Sequence, residues 1–226
     1  MTGTESTWRR TMLERIVIDE AVRELRPDAV VLAMTAEGLV NGPSDVADWS
    51  VKAAAEDAHV EAWREAYRSF GAKPQRTRSS VDALLRRADS LPAINKVVDA
   101  YNAISVEYVL PVGGEDLDAY VGAARLVRAT GDEPFDTVAG GEPAVEHPLV
   151  GEVVWRDDAG VTCRRWNWRQ CVRTRITEST RNALFLLERL EPYPLERLQE
   201  AGDDLAARLR AFSPDVRIES RVIGGV

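Results

Sequence analysis

The sequence predicts an α+β fold with mixed or antiparallel sheets and flanking helices. Three observations predict it. Apolar residues recur at helical spacing between Val60 and Ile104, short β-branched runs broken by turn residues follow from residue 124, and the helices precede the strands instead of alternating with them. Taken in order, residues 1–14 read as a loose polar segment and 15–226 as one domain. Ile16-Val17-Ile18 is a short apolar run, followed by an amphipathic stretch to Leu25 that Pro27 ends. Ala29 to Met34 is continuous and β-branched, the pattern of a buried strand, and Asn41-Gly42-Pro43 is a turn.

Ser44 is placed to cap a long helix whose second half carries Val60, Trp63, Tyr67 and Phe70 on one stripe, with Gly71 as its stop. Ser79 or Ser80 caps a second helix with Val81, Leu84, Leu85 and Ala88 on its apolar face. Pro92 suits the first turn of a third, along which Ile94, Val97, Val98, Tyr101 and Ile104 repeat. After Pro111, Gly113-Gly114 opens a loop. Strands are expected at 124–129, 150–156, 161–165 and 171–177, with a hairpin turn at Asp157-Asp158-Ala159-Gly160. In the last of these, Val172, Thr174 and Ile176 alternate with Arg173, Arg175 and Thr177, a half-buried pattern. Leu195, Leu198, Leu205, Leu209 and Phe212 mark a C-terminal helix, and Val216 to Val222 a final strand.

With 226 residues the chain is long enough to build a core without disulfides or metal. Its 45% hydrophobic and 29% charged residues exclude a disordered or collagen-like chain. No apolar run approaches the ~18 residues of a membrane helix, and the N-terminus carries no apolar signal core, so no membrane partner is expected and the cytoplasm is the expected location. The net charge of −8 repels a polyanion at long range, and no DNA partner is expected. Cys163 and Cys171 stand without the neighbours of a zinc set and read as reduced thiols, one or both of them buried, and neither metal nor cofactor is implied. His59 and His147 fall in no metal-ligand spacing and read as structural or surface residues. There is no nucleophile elbow, P-loop or dinucleotide fingerprint.

Two basic clusters stand out against the acidic background. Lys73, Arg76, Arg78, Arg86 and Arg87 form the first; Arg164, Arg165, Arg169, Arg173, Arg175 and Arg181 form the second, interleaved with Trp166 and Trp168. Guanidinium groups suit phosphates and flat rings suit unstacked bases, so such a segment fits RNA; a solvated strand face with two core tryptophans gives the same composition. Glu107, Glu115, Asp116 and Asp118 gather around Gly113-Gly114, where carboxylates can act as a base or bind an amino group. Glu115-Asp116-Leu117-Asp118 also has the form of a helix start.

Six phrases in order carry a family resemblance: residues 62–67 (AWREAY), 70–74 (FGAKP), 79–87 (SSVDALLRR), 91–105 (LPAINKVVDAYNAIS), 110–118 (LPVGGEDLD) and 163–169 (CRRWNWR). The sequence resembles the freestanding B3/B4 tRNA-binding domain family, whose relatives are the editing domains within the β subunit of bacterial phenylalanyl-tRNA synthetase. The resemblance runs from about residue 15 to about 210. It implies a B3/B4-like fold, a tRNA partner engaged at its aminoacylated 3′ end, and hydrolysis of a mischarged aminoacyl ester in trans. The synthetase's Val-Asp-x-x-Asn phrase falls on Val98 to Asn102, and its Pro-x-His-Ala-x-Asp loop on Pro111 to Asp116, with Asn102, Pro111 and Asp116 matching. Gly113 stands where the synthetase loop has its histidine, so tyrosine specificity does not carry over and no side-chain base is evident at that position.

On this reading Asn102, Glu107, Gly113, Gly114, Asp116, Trp166 and Asn167 form the substrate pocket, with the glycine backbone as a candidate oxyanion site and Trp166 as a wall or a platform for the terminal adenine. Lys73, Arg76, Arg78, Arg86, Arg87, Arg164, Arg169, Arg173 and Arg175 form the RNA surface. No catalytic residue is assigned. Two other readings stay open: a tRNA-binding module without turnover, and a binder of free amino acids or small metabolites.

Overall fold

In the computed structural model the described residues are 12–44, 57–87 and 91–225. Strands β2 (Val30–Glu37) and β10 (Asn182–Arg189) pair along their whole length at the centre of an antiparallel sheet ordered β11-β2-β10-β3, whose edges are β11 (Arg217–Gly224) and β3 (Val112–Asp116). Both central strands are buried on both faces, which is why β2 reads as an unbroken apolar run. Val31, Ala33, Leu184 and Leu186 enter one core; Leu32, Met34, Phe185 and Leu187 enter the other.

The second core is closed by helices α4 (Lys96–Tyr108), through Val97, Val98, Tyr101 and Ile104, and α5 (Leu195–Phe212), through Leu198, Leu205 and Leu209. The first is closed by α2 (Ala58–Ser69), through Val60, Trp63 and Tyr67, and by a five-stranded sheet. In that sheet β1 (Val17–Ile18) pairs parallel with β4 (Arg125–Arg128), and β7 (Val153–Arg156), β8 (Val161–Arg164) and β9 (Arg169–Gln170) continue it antiparallel. Helices α1 (Glu20–Leu25) and α3 (Ser80–Leu85) and the hairpin β5–β6 (Phe135–Ala139, Glu142–Glu146) complete the set. The fold is α+β, with one antiparallel and one mixed sheet between helices, as the sequence predicts.

Capping chemistry fixes where the helices begin. Asp57 accepts from His59 N, Ser79 from Asp82 N and Asn95 from Val98 N. Gly71, at φ +84°, follows the α2 cap and supplies the expected stop. His59 then ties three elements together. Its Nδ1 lies 2.8 Å from the Val109 carbonyl, while Nε2 accepts from Trp63 Nε1 and Leu190 N, both at 3.1 Å. A neutral ring protonated on Nδ1 satisfies all three contacts, and burial pushes its pKa down to about 4.

Several expectations change. The helix capped by Ser44 runs into residues 45–56, outside the described residues, as do Ala88 and residues 1–11; Met12 and Leu13, expected in the loose segment, are buried in the first core. Helix α4 starts at Lys96, not Pro92, because Asn95 caps it, and this leaves Ile94 half-exposed. Gly113-Gly114 lies within β3, paired with Leu186 and Phe185, and is not a loop. Residues 171–177 form turns with an isolated bridge from Arg175 to Glu115; Thr174 and Ile176 are buried, but the Arg173 side chain folds back onto Asp157. Strand β10 escapes the sequence reading, because NALFLLER is leucine-rich and has no clear period.

Candidate active site at the seam of two sheet edges

Strands β3 and β9 are the terminal strands of the two sheets, and the space between them is a cavity of about 200 Å³. Helices α3 and α4 roof it. Ser80, Leu84 and Arg87 come from α3 and its C-terminal turn, Tyr101 and Asn102 from α4, Gly113 and Glu115 from β3, Leu186 and Glu188 from β10, and Trp166 to Gln170 from the β8–β9 connection and β9. The volume lies below the ~300–1,000 Å³ of drug-sized pockets and suits a group of amino-acid size.

Two buried carboxylates dominate its chemistry. Glu188 accepts from Trp155 Nε1 (2.7 Å), Trp166 Nε1 (3.1 Å) and Asn167 Nδ2 (2.8 Å). Burial pushes its pKa up to about 7 against the pull of those donors. Three donors leave about one of the four acceptor positions of a carboxylate for a ligand or water. Glu115 accepts from Thr174 Oγ1 (2.6 Å) and Thr162 Oγ1 (3.3 Å), and burial pushes it to about 7 as well. Cys163 also lines the cavity, but burial drives its thiol far above the thiolate range and removes it as a nucleophile. Cys163 and Cys171 are both free and buried, as expected.

The turn that delivers Trp166 and Asn167 is strained. Arg165 and Trp166 are consecutive non-glycine residues at φ 48° and 68°, at a cost of about 1–3 kcal/mol each. Packing holds them there. Trp166 is fully buried, meets Trp63 edge to face at 5.2 Å and gives its backbone N–H to Val153 O. Trp168 is half-exposed, with the guanidinium groups of Arg165 (4.4 Å) and Arg169 (4.8 Å) over its ring. Two cavity-lining residues also carry a buried polar atom without a hydrogen-bond partner in the protein, Ser80 Oγ and Arg169 Nε.

The glycines divide the edge. Gly114 O accepts from Gln170 Nε2 at 2.8 Å, so by strand geometry the Gly114 N–H also faces outward, whereas Gly113 is turned to its partner Leu186. The outward amide is therefore that of Gly114. A side chain at Gly113 would meet only Gln170 Nε2, at 3.7 Å, whereas one at Gly114 would strike Tyr101 at 2.6 Å.

Of the expected pocket residues, Asn102, Gly113, Trp166 and Asn167 line the cavity and Gly114 backs it through Gln170. Glu107 does not: it sits exposed on α4, paired with Arg208 of α5. Asp116 is also off the cavity; it accepts from Asp118 N and Thr180 Oγ1 and caps the 3₁₀ turn Leu117–Ala119, the helix-start reading of that phrase. Trp166 is a wall; its burial leaves no face for a base.

The expected RNA surface breaks up. Arg87 and Arg169 line the cavity, while Lys73 and Arg76 lie on a second cavity together with Arg165. Arg164 is buried on Glu152 and Glu146, Arg173 forks onto Asp157 and Arg86 pairs with Asp82, so these three serve the fold. Arg78 is half-buried before α3 and Arg175 is exposed beside β3. Sequence reasoning misses Glu188, although a lone acid within an apolar run is a readable signal. His147 contacts only Glu133 O among the hydrogen bonds of the described residues.

Residues 62–200 match the model of the B3/4 domain. The chain belongs to the B3/4 domain family. Its matched span holds all the cavity-lining residues, from Ser80 on α3 to Glu188 on β10. Among solved structures, this B3/4 chain is similar to an N-terminal fragment of the phenylalanyl-tRNA synthetase β subunit from Pyrococcus horikoshii, at 14% identity and a TM-score of 0.44 over 92% of this chain and 50% of that one. The chain thus spans half the length of that fragment. No curated protein matches the chain. No helix among the described residues is long and apolar enough to cross a membrane.

Proposed function

We propose that this B3/4 protein binds tRNA and hydrolyses, in trans, the ester of a mischarged aminoacyl-tRNA. The observation that carries the reading is the seam cavity itself: amino-acid-sized, walled by Tyr101, Trp155, Trp166 and Leu186, and holding Glu188 beside Asn167. Membership of the B3/4 family agrees with a tRNA-related role.

An aminoacyl ester is already activated, so hydrolysis needs a placed water, a base and a donor for the developing oxyanion. Glu188 fits the base. Trp155, Trp166 and Asn167 orient its carboxylate, and a value of about 7 matches proton transfer near neutrality. It accepts a proton from water as the oxygen attacks the ester carbonyl, and the proton passes to the leaving ribose oxygen. The outward Gly114 N–H and Gln170 Nε2 are the donors nearest the β3 edge. Specificity comes from shape, because the space beside Gly113 admits a side chain where a bulkier residue would fill it.

The test is release of amino acid from a panel of mischarged tRNAs. At least one member is hydrolysed, with a rate that rises with pH and levels off above an apparent pKa near 7. Release from none of them at high enzyme overturns the hydrolase reading. RNA binding that persists without release leaves the binding module, which the absence of a side chain at Gly113 favours. Stabilisation by a free amino acid but not by tRNA leaves the metabolite binder.

A further inference from the structure

Beside the seam cavity lies a second one, of about 270 Å³, built unlike the first. Its lining combines Phe70 and Leu149 with Lys73, Arg76 and Arg165. Among the described residues its lining holds one acid, Glu152, and that acid is already committed: Arg164 holds it at 2.9 Å through both Nε and Nη2, the Arg165 N–H at 3.1 Å and the Arg165 Nε at 3.7 Å. Lys73 and Arg76 have no ion-pair partner among the described residues, unlike Arg86, Arg164, Arg169 and Arg173. Leu149 is 68% exposed although it lines a concave wall. Three cations and two apolar side chains on one hollow form a concentrated basic spot on a molecule of net charge −8.

One stack links the linings of the two cavities. Arg165 lines the second, Trp168 and Arg169 line the first, and both guanidinium groups lie over the Trp168 ring. We propose that the second cavity is a nucleotide site for the RNA strand whose acylated 3′ end enters the first, with a phosphate held by Lys73, Arg76 and Arg165 and the base against Phe70 and Leu149. Lys73 and Arg76, with no ion-pair partner among the described residues, favour a phosphate; Arg165 shares only its Nε with Glu152, at 3.7 Å, and keeps its terminal nitrogens for the same anion; and a half-apolar wall favours a base over a bare anion. The strand then crosses Trp168 between the two hollows. This rests on the tRNA reading but not on hydrolysis.

The experiment is fluorescence anisotropy of an unacylated RNA hairpin with a single-stranded 3′ tail, titrated at several salt concentrations. The double variant Lys73→Ala, Arg76→Ala is compared with wild type and with Arg210→Ala on the far helix α5. The Lys73 and Arg76 side chains are exposed, and a melting curve checks that the fold is kept. The double variant binds at least tenfold more weakly, its salt slope drops by about 0.7 for each phosphate it no longer neutralises, and Arg210→Ala binds as wild type. Equal affinity and slope in the double variant overturn the site. So does AMP that binds as tightly as the tailed hairpin, which places a free mononucleotide there. RNA that binds wild type but not the double variant, with no release from any mischarged tRNA, keeps the nucleotide site and removes the hydrolase. No RNA binding by wild type removes both.

Discussion

Adjacent glycines in β3 do opposite things. Gly114 sits under Tyr101 because nothing larger fits, while Gly113 leaves open the space in front of Gln170. Gly114→Ala is expected to lower stability by about 1–3 kcal/mol through overpacking, and Gly113→Ala to leave it unchanged or slightly raised, since a strand glycine carries an entropic cost. Thermal melts of the two variants decide this; equal losses contradict the packing described. The buried acids make a second claim. Between their ordinary 4.5 and about 7, Glu115 and Glu188 hold more protons in the folded state than in the unfolded, so stability falls as pH rises through that window. His59 acts in the opposite sense: between about 4 and its ordinary 6.5 the unfolded chain holds the extra proton, so stability falls as pH drops. Glu115→Gln therefore reduces the loss in melting temperature between pH 5 and pH 8. A pH profile identical to wild type would show that Glu115 is not the group responsible.

The β8–β9 turn places Trp166 and Asn167 at the cavity and Arg165 at its neighbour, and it does so with two left-handed residues. Arg165→Gly relieves that backbone while removing a cation. Its melting temperature is expected to stay equal or rise, and its RNA affinity to fall; a fall in both would mean that the Arg165 side chain chiefly supports the fold. Next to it, Arg164 is 7% exposed and Glu152 3%, so Arg164→Met takes both short charge-assisted bonds from a buried carboxylate, leaving it only the longer Arg165 contact at 3.7 Å, and is expected to cost about 3–5 kcal/mol in denaturant unfolding. A loss below about 1 kcal/mol, the range of an exposed pair, contradicts its assignment to the fold.

Legibility in the sequence follows the same elements. The stripe Val60, Trp63, Tyr67 is readable because one face meets a core, and the Asn102, Trp166 and Asn167 phrases are readable as motifs. Glu188 and the strand role of Gly113-Gly114 are not, because pairing with β10 depends on a Leu-rich run whose period is ambiguous until β2 covers its other edge. The arginines mislead for a related reason. Composition cannot tell Arg173, held by Asp157, from Arg76, which makes no ion pair among the described residues, when the partner lies many residues away.

On the scale of the whole molecule, the edge strands β3 and β9 of the two sheets face each other across the seam, and the helices that roof it also define its mouth. The net negative charge rejects a polyanion except where Lys73, Arg76, Arg87, Arg165 and Arg169 gather around the two hollows. RNA binding is therefore expected to weaken steeply with salt, and a flat salt dependence contradicts it. The most direct measurement compares single-turnover deacylation of the best mischarged tRNA by wild type and by Gly113→Val, whose Cβ meets only Gln170 Nε2, at 3.7 Å, and whose methyls fill the space before it. Blocking the seam is predicted to lower the rate by about a hundredfold or more with the melting temperature unchanged, the scale on which a misplaced substrate slows a reaction. A folded variant that hydrolyses as fast as wild type would show that the ester is not bound there.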